Sequence, residues 1–431
     1  MSYKVDLNPL KPLKRSVSII GVGATPFMCT MDDPETNGLG EGELFGYAAI
    51  EAMKDAGMTA KDVDFYIHAQ AGPGWQSNFG TANMHVANWF GMKGRGSAHH
   101  SEACCTGYVA LEQAVSYVAS GAYDVVLSGA CDFSHSIAVP DGPSFMRRYG
   151  DDAIFHDTLC SIYPRDYTLE THCAANMSGE QWLDYYVHEN KIADKIDDVM
   201  LKMSKEARRT ASMNPLSLSK DTYDDLAHKF KMADADEYLR SKYNPKVGMY
   251  IHPSNLELRC DGAAVIIVCA TEVAHKFTGH PIEILGTGHS CLEGGTPRLE
   301  KYATRAAYEQ IRDLTGLTGK DMGLFMANDF LQASQFLAAE ECEYVPEHKG
   351  WEYMLDGRMT FEGDRPVQTN GGRCAYGHAH GTSGVADIYE AVKQMRGEMG
   401  DTQVKKPVEY AMLRGFGGSQ NLTCTILKNN A

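Results

Sequence analysis

Apolar and polar positions along this chain follow two rhythms that recur in the same order. The run SVSIIGVG at 16–23 is β-branched, closes on glycines and reads as a buried strand. Residues 48–69, AAIEAMKDAGMTAKDVDFYIHA, then place apolar side chains at helical spacing up to Gly57, make a turn and end in the strand FYIHA. The second half repeats this. PIEILGTG at 281–288 precedes AAYEQIRDLTGLTGKDMGLFMAN at 306–328, the same helix, loop and strand with one extra residue at the turn. Self-similarity of this length predicts a duplicated α/β unit.

The repeat continues downstream in pattern rather than in letters. After EACCTG (102–107) comes YVALEQAVSYVASG, with Leu111, Ala114, Val115 and Val118 on one face and Gly121 as a stop, then the strand YDVVLSGA. After GHAHGTSG (377–384) comes VADIYEAVKQMRG, with Val385, Ile388, Val392 and Met395 on one face, then VEYAMLRG and GFGG. Two equivalent loops, each entering a helix, thus stand at Cys104 and at His378. Helix N-termini favour a thiolate or an oxyanion, and packing of the halves about a pseudo-twofold axis brings the two loops to one site. Between the halves, residues 140–250 change texture to charged, Met-rich, aromatic helical segments. The expected organisation is a first half at 16–139 plus 251–279, an inserted helical or loop domain at 140–250, and a second half at 280–431.

Composition narrows the function classes. The 431 residues are 43% hydrophobic and 22% charged, enough for a large core. A formal charge of -16 argues against a general nucleic-acid or anionic-membrane binder. No run reaches the roughly 18 apolar residues of a membrane span, and MSYKVDLNPLKPLKRSVSII lacks a secretory apolar core, so a cytoplasmic location is expected. Twelve cysteines without a CxxC pair read as free thiols, not as a disulfide framework or a zinc site. Cys131, Cys269 and Cys424 fall in apolar strands as ordinary core thiols. Cys104 and Cys105 are adjacent, so at most one faces a given substrate.

The letters resemble the thiolase superfamily, and within it the sterol-carrier-protein-type and archaeal-like branch. The matching stretches are GVGATPF (21–27), CCTG (104–107), NP (214–215), CDGAAVIIV (260–268), AND (327–329), NGGRCAYGHAHGTSG (370–384) and GFGG (415–418). The resemblance implies an α/β, five-layer α-β-α-β-α core from two βαβαβαββ halves. It also implies CoA-dependent cleavage of a 3-oxoacyl-CoA, or the reverse Claisen condensation, through an acyl-cysteine. Carried over by position, Cys104 is the nucleophile, His378 the catalytic histidine and Asn328 the partner that holds a water in the first oxyanion hole. The backbone N–H groups of Cys104 and Gly415 form the second hole. Coenzyme A enters as a substrate with no tightly bound cofactor and no metal, and Arg147, Arg148, Arg208 and Arg209 are compositional candidates for its phosphates. Family members imply a homodimer core, and the branch implies a small separate subunit with a zinc-ribbon and an OB-type fold.

The departures from the family are specific. Lining up GFGG puts Leu413 where many thiolases hold a second, acid-base cysteine, and NDFL at 328–331 puts Phe330 where the sterol-carrier branch holds one. His380, two positions from His378, is the preferred replacement, with Cys374 and Asp329 behind it. An aromatic substrate such as benzoylsuccinyl-CoA is one reading, for which Trp75, Trp89, Phe79 and Phe90 offer rings. Two alternatives stand beside catalysis of this kind: a non-catalytic acyl-CoA-binding scaffold, and a ketosynthase-like condensing enzyme, whose order of active-site residues differs from Cys104, Asn328, His378.

Overall fold

The computed structural model describes residues 7–32, 34–71, 82–134, 174–277, 280–291, 299–417 and 421–430. The strands are β1 (Val17–Ala24), β2 (Phe65–Ala69), β3 (Gly96–His100), β4 (Val125–Phe133), β5 (Asp261–Ala270), β6 (Ile282–Cys291), β7 (Leu324–Ala327), β8 (Tyr410–Gly417) and β9 (Asn421–Asn429). The longer helices are α1 (Glu41–Ala56), α2 (Thr106–Ala119), α3 (Ala174–Asn190), α4 (Ile196–Met213), α5 (Leu299–Thr315) and α6 (Thr382–Arg396).

The sheet order β3-β2-β4-β5-β1-β6-β9-β8-β7 is one pattern written twice. In the first half the strands lie third, second, fourth, fifth, first; in the second half β7, β8, β9 and β6 lie second, fourth, fifth, first. The missing third strand survives as one parallel bridge, Val367 beside Phe325. Even the turns agree: Thr59 donates its N–H and Oγ1 to Asp62 Oδ2 at 2.9 Å each, and Thr318 does the same to Asp321 at 2.7 and 2.8 Å. The halves join where residues 17–19 pair antiparallel with 282–284.

Layering follows from which faces are apolar. Leu44, Phe45, Ala48 and Ala52 of α1 pack on Ile20, Val265 and Ile267, closing the outer face of the first half. Tyr308 and Ile311 of α5 pack with Phe325 and Ile426 on the outer face of the second. Helices α2 and α6 lie between, α6 touching β1, β4 and β5 of one half and β7 and β8 of the other. The result is the α-β-α-β-α order of a thiolase-like α/β fold, in which each buried Leu, Ile or Val contributes about 1.5–3 kcal/mol. In the 140–250 segment, Leu183, Val187, Val199 and Met203 of α3 and α4 share a core with Phe336, Leu337 and Met354. Cys131, Cys269 and Cys424 are buried in β4, β5 and β9, and every described cysteine is a free thiol. No described helix is long and apolar enough to cross a membrane, and no metal-binding group of three or more His, Cys, Asp or Glu occurs among the described residues.

Candidate active site

The N-terminal ends of α2 and α6 cross at glycines. A Cβ on Gly107 would lie 2.6 Å from both Gly381 O and Val385 N, and one on Gly384 would lie 2.8 Å from the Tyr108 ring, so only hydrogen lets the backbones approach this closely. Below the crossing, Tyr108 of α2 and Asp387 of α6 join Arg373 in a fully buried network. Arg373 donates Nη1 and Nη2 to the two Asp387 oxygens at 3.0 and 2.7 Å, and the Tyr108 hydroxyl donates to Asp387 as well. Gln368 and Asn370 add side-chain donors to the same carboxylate at 2.8 and 3.1 Å. The two loops are thereby fixed against each other.

Cys104 sits two residues before α2, behind a strained backbone: Ala103 has φ 49°, the left-handed region that non-glycine residues seldom adopt. Thr106 Oγ1 holds the turn, donating to Ala103 O at 2.6 Å and accepting Glu102 N–H at 2.7 Å. The half-buried Cys104 side chain packs on Ala303, Phe330, Phe416 and Leu422. Burial pushes its thiol up to about 12; the Glu257 carboxylate adds to this, and Arg373 and Arg259 oppose it. Cys105 is fully buried, 4.0 Å from Thr423 Oγ1, and faces away into the core. The doublet is resolved by packing: Cys104 faces the cluster shared with the other site residues.

His378 is completely buried, with Nδ1 3.1 Å from Ser383 Oγ, while Nε2 has no partner among the described residues. Burial holds this imidazole well below the usual histidine range, and His380, Arg373 and Arg259 reinforce the shift. Phe330 meets its ring edge-on at 5.6 Å and His380 at 5.2 Å. Asn328 is also completely buried; its Nδ2 donates to Phe416 O at 2.9 Å and its Oδ1 has no partner among the described residues. Phe330 and Phe416 thus connect Cys104, His378 and Asn328 around one small apolar cluster. Two unanswered buried polar atoms in such a cluster are where a substrate oxygen or a water belongs.

His380 lies beside His378, as its spacing predicted, with φ 30° and Nδ1 2.8 Å from Ser134 Oγ. Burial pulls it down to about 3, so it is a neutral, weak base. Asp329 accepts Arg373 N–H at 3.0 Å and Gln335 Nε2 at 2.8 Å, and burial raises it to about 6. Cys374 belongs to a cluster with Ala207, Ala211 and Ala375. Leu413 is buried in the central core, apart from the Phe330 cluster. Gly415 faces Tyr108 and Thr423, whereas a Cβ on Gly417 would lie 3.1 Å from Glu102 O and 3.3 Å from Cys105 N, making Gly417 the glycine beside the Cys104 turn. Arg208 donates to Asp221 O at 2.9 Å and Arg209 is held by Glu206 and Glu362, both at 2.8 Å. Phe90 is buried in the outer core of the first half and Trp89 is 47% exposed. Arg147, Arg148, Trp75 and Phe79 lie outside the described residues.

Three charged residues were invisible to motif reading. Asp132, at the end of β4, accepts Thr382 N–H and Oγ1 at 2.7 and 2.9 Å and Ala71 N–H at 2.9 Å, so the N-terminus of α6 is already met by a carboxylate. Glu257 and Arg259 precede β5 in LELRC, where the segment runs parallel to the GHAHG loop. His378 N–H donates to Leu258 O at 2.7 Å and Cys260 N–H to His378 O at 3.3 Å, which places Arg259 in register with His378. For Glu257 and Arg259, charges just before the apolar run AAVIIV (263–268) were the only available signal.

Known proteins share this fold. The thiolase C-terminal domain-like family matches residues 294–429. An acetyl-CoA acetyltransferase of Methanothermobacter thermautotrophicus is 25% identical over 416 residues, covering 94% of this chain and 97% of its own. The benzoylsuccinyl-CoA thiolase subunit BbsB of Thauera aromatica is 26% identical over 418 residues, covering 94% and 96%. Among solved structures, the Ltp2-ChsH2(DUF35) aldolase superposes with a TM-score of 0.74 at 19% identity, over 97% of this chain and 99% of that one. These comparisons make the chain similar to members of the thiolase superfamily, the sterol carrier protein 2 of Homo sapiens among them, at 25% identity over 427 residues.

Proposed function

We propose that the protein is a thiolase-type acyltransferase that cleaves a 3-oxoacyl-CoA, or forms one, through an acyl group on Cys104. The observation that carries the reading is the buried Nε2 of His378, unpartnered among the described residues and facing the cluster that Cys104 and Asn328 share. In cleavage, His378 takes the Cys104 thiol proton as sulfur attacks the 3-oxo carbon. The bond between C2 and C3 breaks, and its electron pair leaves as the CoA thioester enolate. His378, Asn328 and water stabilise the enolate oxygen. The imidazolium of His378 then returns to C2 the proton it took from Cys104, since Phe330 and Leu413, at the second-cysteine positions, carry none. Coenzyme A then takes the acyl group from Cys104. An aromatic acyl group such as that of benzoylsuccinyl-CoA fits the similarity to BbsB and the rings of Phe330 and Phe416 beside the thiol.

The alternative is a non-catalytic acyl-CoA-binding subunit, favoured by the apolar residues at both second-cysteine positions. Incubation with a panel of acyl-CoAs, followed by mass spectrometry of the Cys104 peptide, separates the two. An acyl adduct supports catalysis, and an unmodified Cys104 throughout supports the scaffold. For partners, we propose a homodimer along the edge strand β3, beside which Met84 (67% exposed) and Trp89 (47%) present apolar surface. A second, DUF35-type subunit is proposed because the aldolase of the same fold and the BbsB enzyme are both named as multi-component assemblies.

A further inference from the structure

Arginine 259 differs from every other described arginine. Arg15, Arg209, Arg240, Arg305, Arg312, Arg358, Arg373 and Arg396 each meet a carboxylate, and Arg95, Arg208, Arg365 and Arg414 donate to backbone or hydroxyl oxygens. Arg259 has no hydrogen-bond or ion-pair partner among the described residues. Its position is not peripheral. In a parallel bridge the two paired residues carry their side chains on the same face, so Arg259 stands side by side with His378. Its charge is felt at Cys104, His378 and His380 together. Glu257, two residues earlier, is engaged elsewhere and makes no ion pair with Arg259 among the described residues.

A half-buried guanidinium has lost part of its hydration, and no hydrogen-bonded or ion-paired anion among the described residues offsets that loss. The other cation acting on Cys104, Arg373, is answered in full by Asp387. Among the described residues, Arg259 is therefore left open to an anion that the site binds. The phosphates of coenzyme A do not suit, because the pantetheine arm holds them many bonds from the sulfur that has to reach Cys104. An enolate oxygen is a single acceptor, already served by His378 and Asn328. A planar fork of donors matches the two oxygens of a carboxylate.

We infer that Arg259 recognises a carboxylate on the acyl portion of the substrate, so that the protein acts on 3-oxoacyl-CoAs of the dicarboxylate class. This rests on the proposed thiolase reading for the placement of the acyl group beside Cys104.

The test compares 3-oxoadipyl-CoA with 3-oxohexanoyl-CoA, a pair differing by a carboxylate in place of the terminal methyl. Dissociation constants are measured by calorimetry on Cys104→Ala, which cannot turn over, with and without Arg259→Gln or Arg259→Lys. A charged bidentate contact predicts about 10- to 100-fold tighter binding of the carboxylate compound. Arg259→Gln should bring the two constants within about threefold, with Arg259→Lys between, and the melting temperature of each variant verifies folding. No preference in the parent, or an unchanged ratio in Arg259→Gln, overturns the inference. Failure of Cys104 to acylate in the intact protein while the binding preference persists counts against the thiolase reading alone.

Discussion

Replacing Asp387 with Ala removes the acceptor on which the crossing of α2 and α6 depends. Asp387 is completely buried and receives donors from Arg373, Gln368, Asn370 and Tyr108. Arg373 remains charged, because a guanidinium keeps its proton even in a protein core, so the variant strands a full positive charge there. Breaking one side of a buried pair costs about 3–5 kcal/mol. The amide and hydroxyl donors relax toward one another or toward water, so a value of about 4 kcal/mol is expected. Removing both charges, as Arg373→Met with Asp387→Leu, should restore most of the loss, since desolvation of the native pair largely cancels its attraction. Urea unfolding followed by far-ultraviolet circular dichroism and tryptophan fluorescence checks this. With a slope near 3 kcal/mol/M, the single variant shifts the midpoint by about 1 M and the double variant by much less. A single-variant loss under about 1 kcal/mol, or a double variant no better than the single, would refute the reasoning.

Cys104→Ser should abolish the acyl adduct, while Cys105→Ser, buried near Thr423, should keep it and cost stability of about 1 kcal/mol; peptide mass spectrometry and melting curves read both. Gly107→Ala drives a methyl into Gly381 O and Val385 N, so it should separate the helices, lower turnover at least 100-fold and destabilise the fold by about 3 kcal/mol; wild-type-like kinetics would count against the crossing geometry. His380 has a folded-state pKa of about 3 against an ordinary 6.5. Its neutral form contributes stability that is complete above pH 6.5 and is lost as pH falls toward 3. His380→Gln should therefore lose less stability than wild type between pH 7.5 and 5, and parallel urea midpoints across that range would contradict the assignment.

The sequence by itself determined what is local. Periodicity placed α1, α2, α5 and α6 with the strands around them, and the repeated Thr-to-Asp turns at 59–62 and 318–321 form identical hydrogen bonds because three-residue caps depend only on neighbouring letters. Motif resemblance singled out Cys104, His378 and Asn328, which the fold gathers around Phe330 and Phe416. What the letters could not carry was contact between residues far apart in the chain. Asp132 reaches α6 across 250 positions, and Arg259 meets His378 only because two segments pair in one particular register. Sheet register and helix crossing decide such contacts, and a one-residue slip would turn Arg259 to the opposite face. The doublet at 104–105 shows both levels at once. Its place before a helix was legible, whereas which sulfur looks into the site was settled by the core that claims Cys105.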